Sequence, residues 1–176
     1  MTREQHTRQA PKLVAFAILT ISDTRTIADD VSGSLAHELI AAAGHAVGEY
    51  RILKDDPEAV RKVIQGLAAR GDLRAIVLTG GTGISRRDRT YEAVSSLLER
   101  RLDGFGEIFR ALSYQEIGSA AMLSRAVAGL VGNKIVFALP GSSAAVRLGF
   151  DKLILPEIGH LVAEIDKQPE RPSRGT

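Results

Sequence analysis

The sequence predicts an α/β fold in three layers, α/β/α, around a mostly parallel mixed sheet of about five strands with one antiparallel edge hairpin. Three observations lead there. Nearly continuous apolar runs at 12–20 (KLVAFAILT) and 74–79 (RAIVLT) are what strands buried on both faces require. Segments with apolar residues at helical spacing lie between such runs, as a parallel sheet with crossover helices demands. Two strand-like runs, 125–131 and 134–139, are separated only by Gly132-Asn133, a two-residue connection that reads as a tight hairpin.

In chain order, the run at 12–20 is the first strand. Leu35, Leu39 and Ala42 then mark one face of a helix that should stop at Gly44, a residue suited to the left-handed position after a helix. Residues 47–53 form a second, less apolar strand. Asp56-Pro57 opens the next helix, with Asp56 as N-cap, Pro57 at the first helical position and Val60, Ile64 and Leu67 on one face. The third strand, 74–79, runs into a glycine-rich loop, after which Thr90 caps a helix carrying Val94, Leu97 and Leu98. Gly104-Phe105-Gly106 opens another helix, with Ile108, Phe109 and Leu112 facing inward. The hairpin's second arm leads through Pro140-Gly141-Ser142-Ser143 into a further helix. That repeats the strand, loop, helix plan of residue 78 onward, so the hairpin's first arm must run antiparallel.

Composition bounds the function. The chain has 176 residues, 44% apolar and 25% charged, enough for one globular domain that buries roughly 70% of its unfolded surface without disulfides or a structural metal. With no cysteine, thiolate nucleophiles, iron–sulfur clusters and cysteine zinc sites are excluded, which fits a reducing, cytoplasmic setting. No run reaches the roughly 18 apolar residues of a membrane span. Although the pI is about 9.1, the excess charge sits in tails at 1–10 and 167–176, which read as disordered. Between 11 and 166, read as the single domain, 18 basic residues face 19 acidic ones, a balance that argues against a dedicated nucleic-acid binder. His37, His45 and His160 lack metal-ligand spacing, and Ser113, Ser119 and Ser124 have no evident histidine partner for a hydrolase triad.

The chemistry concentrates in two loops, Thr79-Gly80-Gly81-Thr82-Gly83 and Pro140-Gly141-Ser142-Ser143. Both leave carboxyl ends of strands, where open α/β sheets bind ligands. Glycine lets backbone N–H groups approach an anion, and Thr or Ser adds donors. By itself TGGTG reads equally as a flexible turn; it is neither a Walker loop nor GxGxxG. Asp88 follows among Arg86, Arg87 and Arg89. It reads either as a surface acid paired with Arg86 or Arg87, or as a metal ligand. A carboxylate about 5 Å from a phosphate charge is repelled by roughly 3 kcal/mol at an effective dielectric of 20. A magnesium ion, which takes one or two carboxylates plus substrate phosphates, reverses that sign.

Taken together, Ser22-Asp23-Thr24, Asp30-Val31-Ser32-Gly33, Lys54-Asp55, TGGTG, Arg87-Asp88-Arg89-Thr90, Gly104-Phe105-Gly106-Glu107, Ser124-Arg125-Ala126 and Pro140-Gly141-Ser142 resemble, in order, the MoaB/MogA family of molybdenum cofactor biosynthesis over residues 12–160. The resemblance implies a molybdopterin adenylyltransferase that uses Mg²⁺ and ATP to attach AMP to molybdopterin, releasing pyrophosphate. By motif, Thr79, Gly80, Gly81, Thr82 and Gly83 would cradle the nucleotide. Asp55 and Asp88 would be the catalytic, metal-holding acids, while Ser113, Ser124, Arg125, Pro140, Gly141 and Ser142 would face the pterin. It also implies a homotrimer or homohexamer and partnership with other cofactor-assembly proteins. The apolar and aromatic content of 105–118, more than one helix face needs, supports the oligomer. Tyr91 stands where the active branch often has proline, and the GFGE and SRAVAG segments look closer to the MoaB branch. A catalytically silent pterin- or nucleotide-binding assembly protein is therefore the alternative reading.

Overall fold

The computed structural model describes residues 11–167; the tail segments 1–10 and 168–176 lie outside it. The elements are β1 (Ala15–Ile21), α1 (Val31–Ala42), β2 (Ala46–Leu53), α2 (Pro57–Ala68), β3 (Ala75–Thr79), α3 (Thr90–Leu97), β4 (Arg100–Arg101), α4 (Asp103–Ile117), β5 (Val127–Val131), β6 (Lys134–Leu139), α5 (Ser143–Gly149) and α6 (Leu155–Asp166). Short 3₁₀ turns at Ile27–Asp29 and Gly118–Leu123 follow β1 and α4. A π turn at Phe150–Ile154 joins α5 to α6, which carries Pro156 in its first turn.

The strands form one six-stranded sheet in the order β2-β1-β3-β6-β5-β4. β2, β1, β3 and β6 are parallel, and β5 and β4 are antiparallel additions. The hairpin tip is Gly132-Asn133 as expected, with Gly132 at φ +58°. Its outer arm is not the sheet edge, however, because the two-residue β4 pairs with it. Gly129 makes that approach possible: a Cβ there would collide with the Arg100 carbonyl oxygen. Two charged residues carry no apolar periodicity, which is why a sixth strand was not legible.

Alternation along the buried strands divides the core between two helical layers. Phe16, Ile18, Val77, Ile135 and Phe137 face α1, α4, α5 and α6, meeting Ile40, Phe109, Val146, Phe150 and Ile158. Ala17, Leu19, Ile76, Leu78 and Val136 face α2 and α3, meeting Val60, Ile64 and Val94. The caps at α1 and α2 act as the sequence demands. Gly44 adopts φ +79° after α1, and Asp56 accepts from Glu58 N and Ala59 N at 2.9 and 3.2 Å.

Three side-chain expectations are corrected. Ala42 is exposed, and α1 turns Ala36 and Ile40 inward instead, with Leu35 and Leu39 only partly covered. Ile108 is 52% exposed, because the α4 face that reaches the sheet is carried by Gly106, Phe109 and Ser113. Thr90 is the first residue of α3 rather than its cap, and its hydroxyl is turned toward Asp55. Among the described residues, no helix is long and apolar enough to cross a membrane.

Candidate functional site

In the sheet register Thr20 lies opposite Thr79, and Thr79 opposite Leu139, so β1, β3 and β6 end flush. Their outgoing loops therefore gather on one sheet edge. The chain leaves β1 for β2 on one side and later fills β3 on the other, which makes the β1/β3 boundary the switch point where open α/β sheets form a crevice. A cleft of about 500 Å³ opens there. Its walls include Ser22 and Arg25 after β1, Gly80 to Gly83 after β3, Asp88, Ser124, and Pro140-Gly141 after β6.

The glycine loop has a defined shape. Gly80 and Gly81 adopt φ +95° and +64°, conformations that side chains rarely tolerate. A Cβ on Gly80 would lie 2.5 Å from the Ile21 carbonyl oxygen, so the loop presses directly on the end of β1. Thr79, buried beneath it, meets Thr20 hydroxyl to hydroxyl at 3.3 Å. Thr90 N donates to Gly81 O at 2.9 Å, and Gly80 N to Leu139 O at 3.0 Å. These bonds tie the loop to α3 and β6.

Asp55 and Asp88 converge on this loop from different elements. Asp55 follows β2 and accepts from Arg89 N and from the Thr90 hydroxyl, all at 3.3 Å. Its Oδ2 lies 2.6 Å from where a Cβ of Gly81 would sit, and Asp88 Oδ2 stands equally close to the Cβ position of Gly83. Only glycines let both carboxylates cover the loop. Asp88 accepts from Ser85 N at 3.2 Å rather than pairing with Arg86 or Arg87. Burial, followed by the neighbouring Asp88 and Asp23, pushes the Asp55 carboxyl above the ordinary range, against the Arg89 and Thr90 hydrogen bonds that lower it. Three carboxylates, those of Asp55, Asp88 and Asp23, are thus gathered beside a loop of amide donors. An all-oxygen donor set of two carboxylates suits Mg²⁺ completed by substrate phosphates. Among the described residues, no cluster of three or more His, Cys, Asp or Glu offers an all-protein cage.

The six residues expected on the pterin side separate into three groups. Ser124, Pro140 and Gly141 line the cleft, brought together by the β5–β6 hairpin although 16 positions separate Ser124 from Pro140. Ser142 accepts from Ala145 N at 3.2 Å as the cap of α5, while Ser113 is buried on α4. Arg125 turns its guanidinium onto the glycine loop. Nε donates to Thr82 O at 2.8 Å, Nη2 to Gly83 O at 2.5 Å, and Nη1 to Glu92 at 2.5 Å. The group also stacks 4.7 Å from the Tyr91 ring centroid. Tyr91, which looked like a departure in the sequence, supplies the platform for that clamp. His45 accepts from Val14 N at 3.3 Å, and His160 pairs with Glu157 and Glu164, so neither enters the cleft.

Sequence reasoning missed Arg25, Asp23 and Glu92 as site residues. Asp23 stood inside a quoted motif and Glu92 two residues beyond another, but neither had a visible partner until folding joined Asp23 to Asp55 N at 3.2 Å and Glu92 to Arg125. Arg25 had only its adjacency to Ser22-Asp23-Thr24 as a signal.

Fold and cleft together define an α/β domain with a polar cleft at the carboxyl ends of its parallel strands. Comparison with known proteins agrees. A family model described as "Probable molybdopterin binding domain" matches residues 17–160. Molybdenum cofactor biosynthesis protein B of Bacillus anthracis is 52% identical over 169 residues, covering 96% of this chain and 100% of that protein. A crystal structure of a molybdenum cofactor biosynthesis protein B superposes with a TM-score of 0.88 at 53% identity, covering 91% of this chain and 100% of the other. The tungsten cofactor synthesizing protein MoaB from Pyrococcus furiosus gives 0.80 at 36% identity, covering 90% and 100%. The chain belongs to the MoaB/MogA family of molybdenum cofactor biosynthesis proteins.

Proposed function

We propose that this protein is a molybdopterin adenylyltransferase of molybdenum cofactor biosynthesis, carried by one domain over residues 11–166. The observation that carries the reading is the convergence of two carboxylates on the glycine loop of the switch-point cleft, Asp88 on Gly83 from the cleft wall and Asp55 on Gly81 from behind the loop. In the reaction, an oxygen of the pterin's terminal phosphate bonds to the α-phosphorus of ATP. The bond from that phosphorus to the bridging oxygen of the β-phosphate breaks, and pyrophosphate leaves with the electron pair.

Such a transfer depends on positioning and on neutralising charge more than on covalent chemistry by the protein. Backbone N–H groups of Gly81 to Gly83 supply fixed donors for phosphate oxygens, since the loop is held from below by β1, from β6 through Gly80 N, and from the side by Arg125. Asp55 and Asp88 would hold Mg²⁺, which when bound offsets phosphate charge and fixes the phosphate geometry. Ser124 and the Pro140-Gly141 backbone form the opposite wall, where the second substrate would lie. A protein with its cation-binding acids aimed at phosphate donors is suited to transfer as well as binding. Anaerobic incubation with Mg²⁺, ATP and molybdopterin, followed by mass analysis, should yield a product heavier than molybdopterin by one adenylyl group. Recovery of unmodified molybdopterin in bound form would instead support the binding-protein reading.

A further inference from the structure

We propose that Arg25 is the side chain that grips a substrate phosphate in this cleft, and that Asp30 and Tyr50 hold it in position. The inference rests on the adenylyltransferase reading and adds to it a recognition residue on β1's loop. The cleft carries Asp88, and Asp55 lies behind its glycine loop, yet every ligand the reading assigns to it is an anion. A cation from the chain is needed to favour entry. Among the described residues lining the cleft, Arg25 is the one basic side chain. Arg125 stands close by, but its donors are directed to Thr82, Gly83 and Glu92.

The Arg25 backbone is set by a short turn in which Ser22 Oγ accepts from Thr24 N at 3.3 Å and Arg25 N at 3.1 Å. Ser22 N is itself fixed to Leu53 O at 2.8 Å. The Arg25 side chain is 40% exposed, and its guanidinium rests 3.7 Å from Asp30 Oδ1, a separation that orients the charge without a hydrogen bond. Its N–H groups therefore remain available to phosphate oxygens, which match the guanidinium fork two at a time.

Asp30 is a rigid anchor. Its side chain is fully buried, accepts from Gly33 N at 3.0 Å, and takes the Tyr50 hydroxyl at 2.7 Å. Burial and this hydrogen bond push the Tyr50 hydroxyl up to about 12, so it remains a donor throughout the neutral range. Gly33 leaves no room for a Cβ beside Asp30, Tyr50 and Thr20. The network thus reaches from β2 through the start of α1 to the cleft wall.

The phosphate belongs either to the nucleotide or to the pterin, and binding to each separates them. Calorimetric titration of the full chain with Mg·ATP, with molybdopterin, and with adenosine would be run for wild type, Arg25→Ala and Arg25→Lys. We expect Arg25→Ala to weaken one phosphate ligand at least tenfold, Arg25→Lys to recover part of the loss, and adenosine binding and the thermal midpoint to stay unchanged. The weakened ligand identifies the phosphate. Tyr50→Phe should weaken the same ligand in the wild-type background and add nothing to Arg25→Ala; equal losses in both backgrounds would refute the positioning role. If wild type binds both phosphate ligands and Arg25→Ala binds them as tightly, the proposal for Arg25 fails alone. If wild type binds neither, the adenylyltransferase reading fails and takes this inference with it.

Discussion

Replacing Arg125 by alanine tests whether this arginine shapes the glycine loop or touches a ligand. The side chain is only one-quarter exposed and holds the Thr82 and Gly83 carbonyl oxygens. Hydrogen bonds from a charged donor contribute about 1.5 kcal/mol or more each when well covered, and partial exposure here puts them near the lower end. The Glu92 partner is 60% exposed, so that ion pair adds at most about 1 kcal/mol. The Tyr91 contact adds about 0.5 kcal/mol. Because the bonds share one guanidinium they are not independent, and the expected loss is about 3 kcal/mol in all. For a chain of this size that lowers the thermal midpoint by about 6–12 °C. Arg125→Lys should recover less than half, since one ammonium cannot serve two carbonyls and a carboxylate together. Arg125 also holds the Glu92 carboxyl below its ordinary range. A depressed carboxyl stabilises the fold above its unfolded pKa and loses that contribution as pH falls through the folded value. The gap between wild type and Arg125→Ala should therefore narrow in acid. Urea and thermal unfolding at neutral pH and near pH 3.5 measure both effects. An unchanged midpoint with lost molybdopterin binding would refute the clamp and return Arg125 to the pterin side.

Further expectations concern the acids and the assembly. Asp56→Ala should cost about 1 kcal/mol in unfolding experiments and leave turnover intact, because Asp56 only caps α2. Asp55→Ala and Asp88→Asn should each reduce adenylyl transfer by orders of magnitude in a steady-state assay while circular dichroism stays native. The raised Asp55 carboxyl has the opposite linkage to Glu92: its unfavourable charge develops as pH rises from the ordinary aspartate value through the folded one. The midpoint of Asp55→Asn should accordingly gain on wild type as pH rises from 3.5 to 7, and a constant difference would contradict this. Light scattering at micromolar concentration should give a trimer or hexamer, for Ile108, Tyr114, Ile117, Met122 and Leu123 are all more than half exposed along α4 and the turn after it; a monomer would contradict it.

What was legible in the sequence were features with local causes. Buried strands show as apolar runs, the Asp56-Pro57 helix start as a cap with its proline, and the hairpin tip as Gly132-Asn133. Thr79 to Gly83 were visible as a glycine cluster at a strand exit, and Asp88 as one carboxylate among three arginines before a helix. Less legible were features created by long-range pairing. β4 exists because Gly129 admits the backbone of Arg100, which no periodicity announces. Arg125 reads in sequence as part of a pterin motif, and only the folded chain, bringing it 42 or 43 positions back to Gly83 and Thr82, gives it the loop as partner. Ile108 and Ala42 failed as core residues because helical spacing gives the period of an apolar stripe but not its phase against the sheet.

The most direct test of the central claim is pyrophosphate release from Mg·ATP by the purified protein, measured with and without added molybdopterin. An adenylyltransferase should give stoichiometric, molybdopterin-dependent release that Asp88→Asn abolishes; no release above the molybdopterin-free rate, or full release by Asp88→Asn, would contradict that activity.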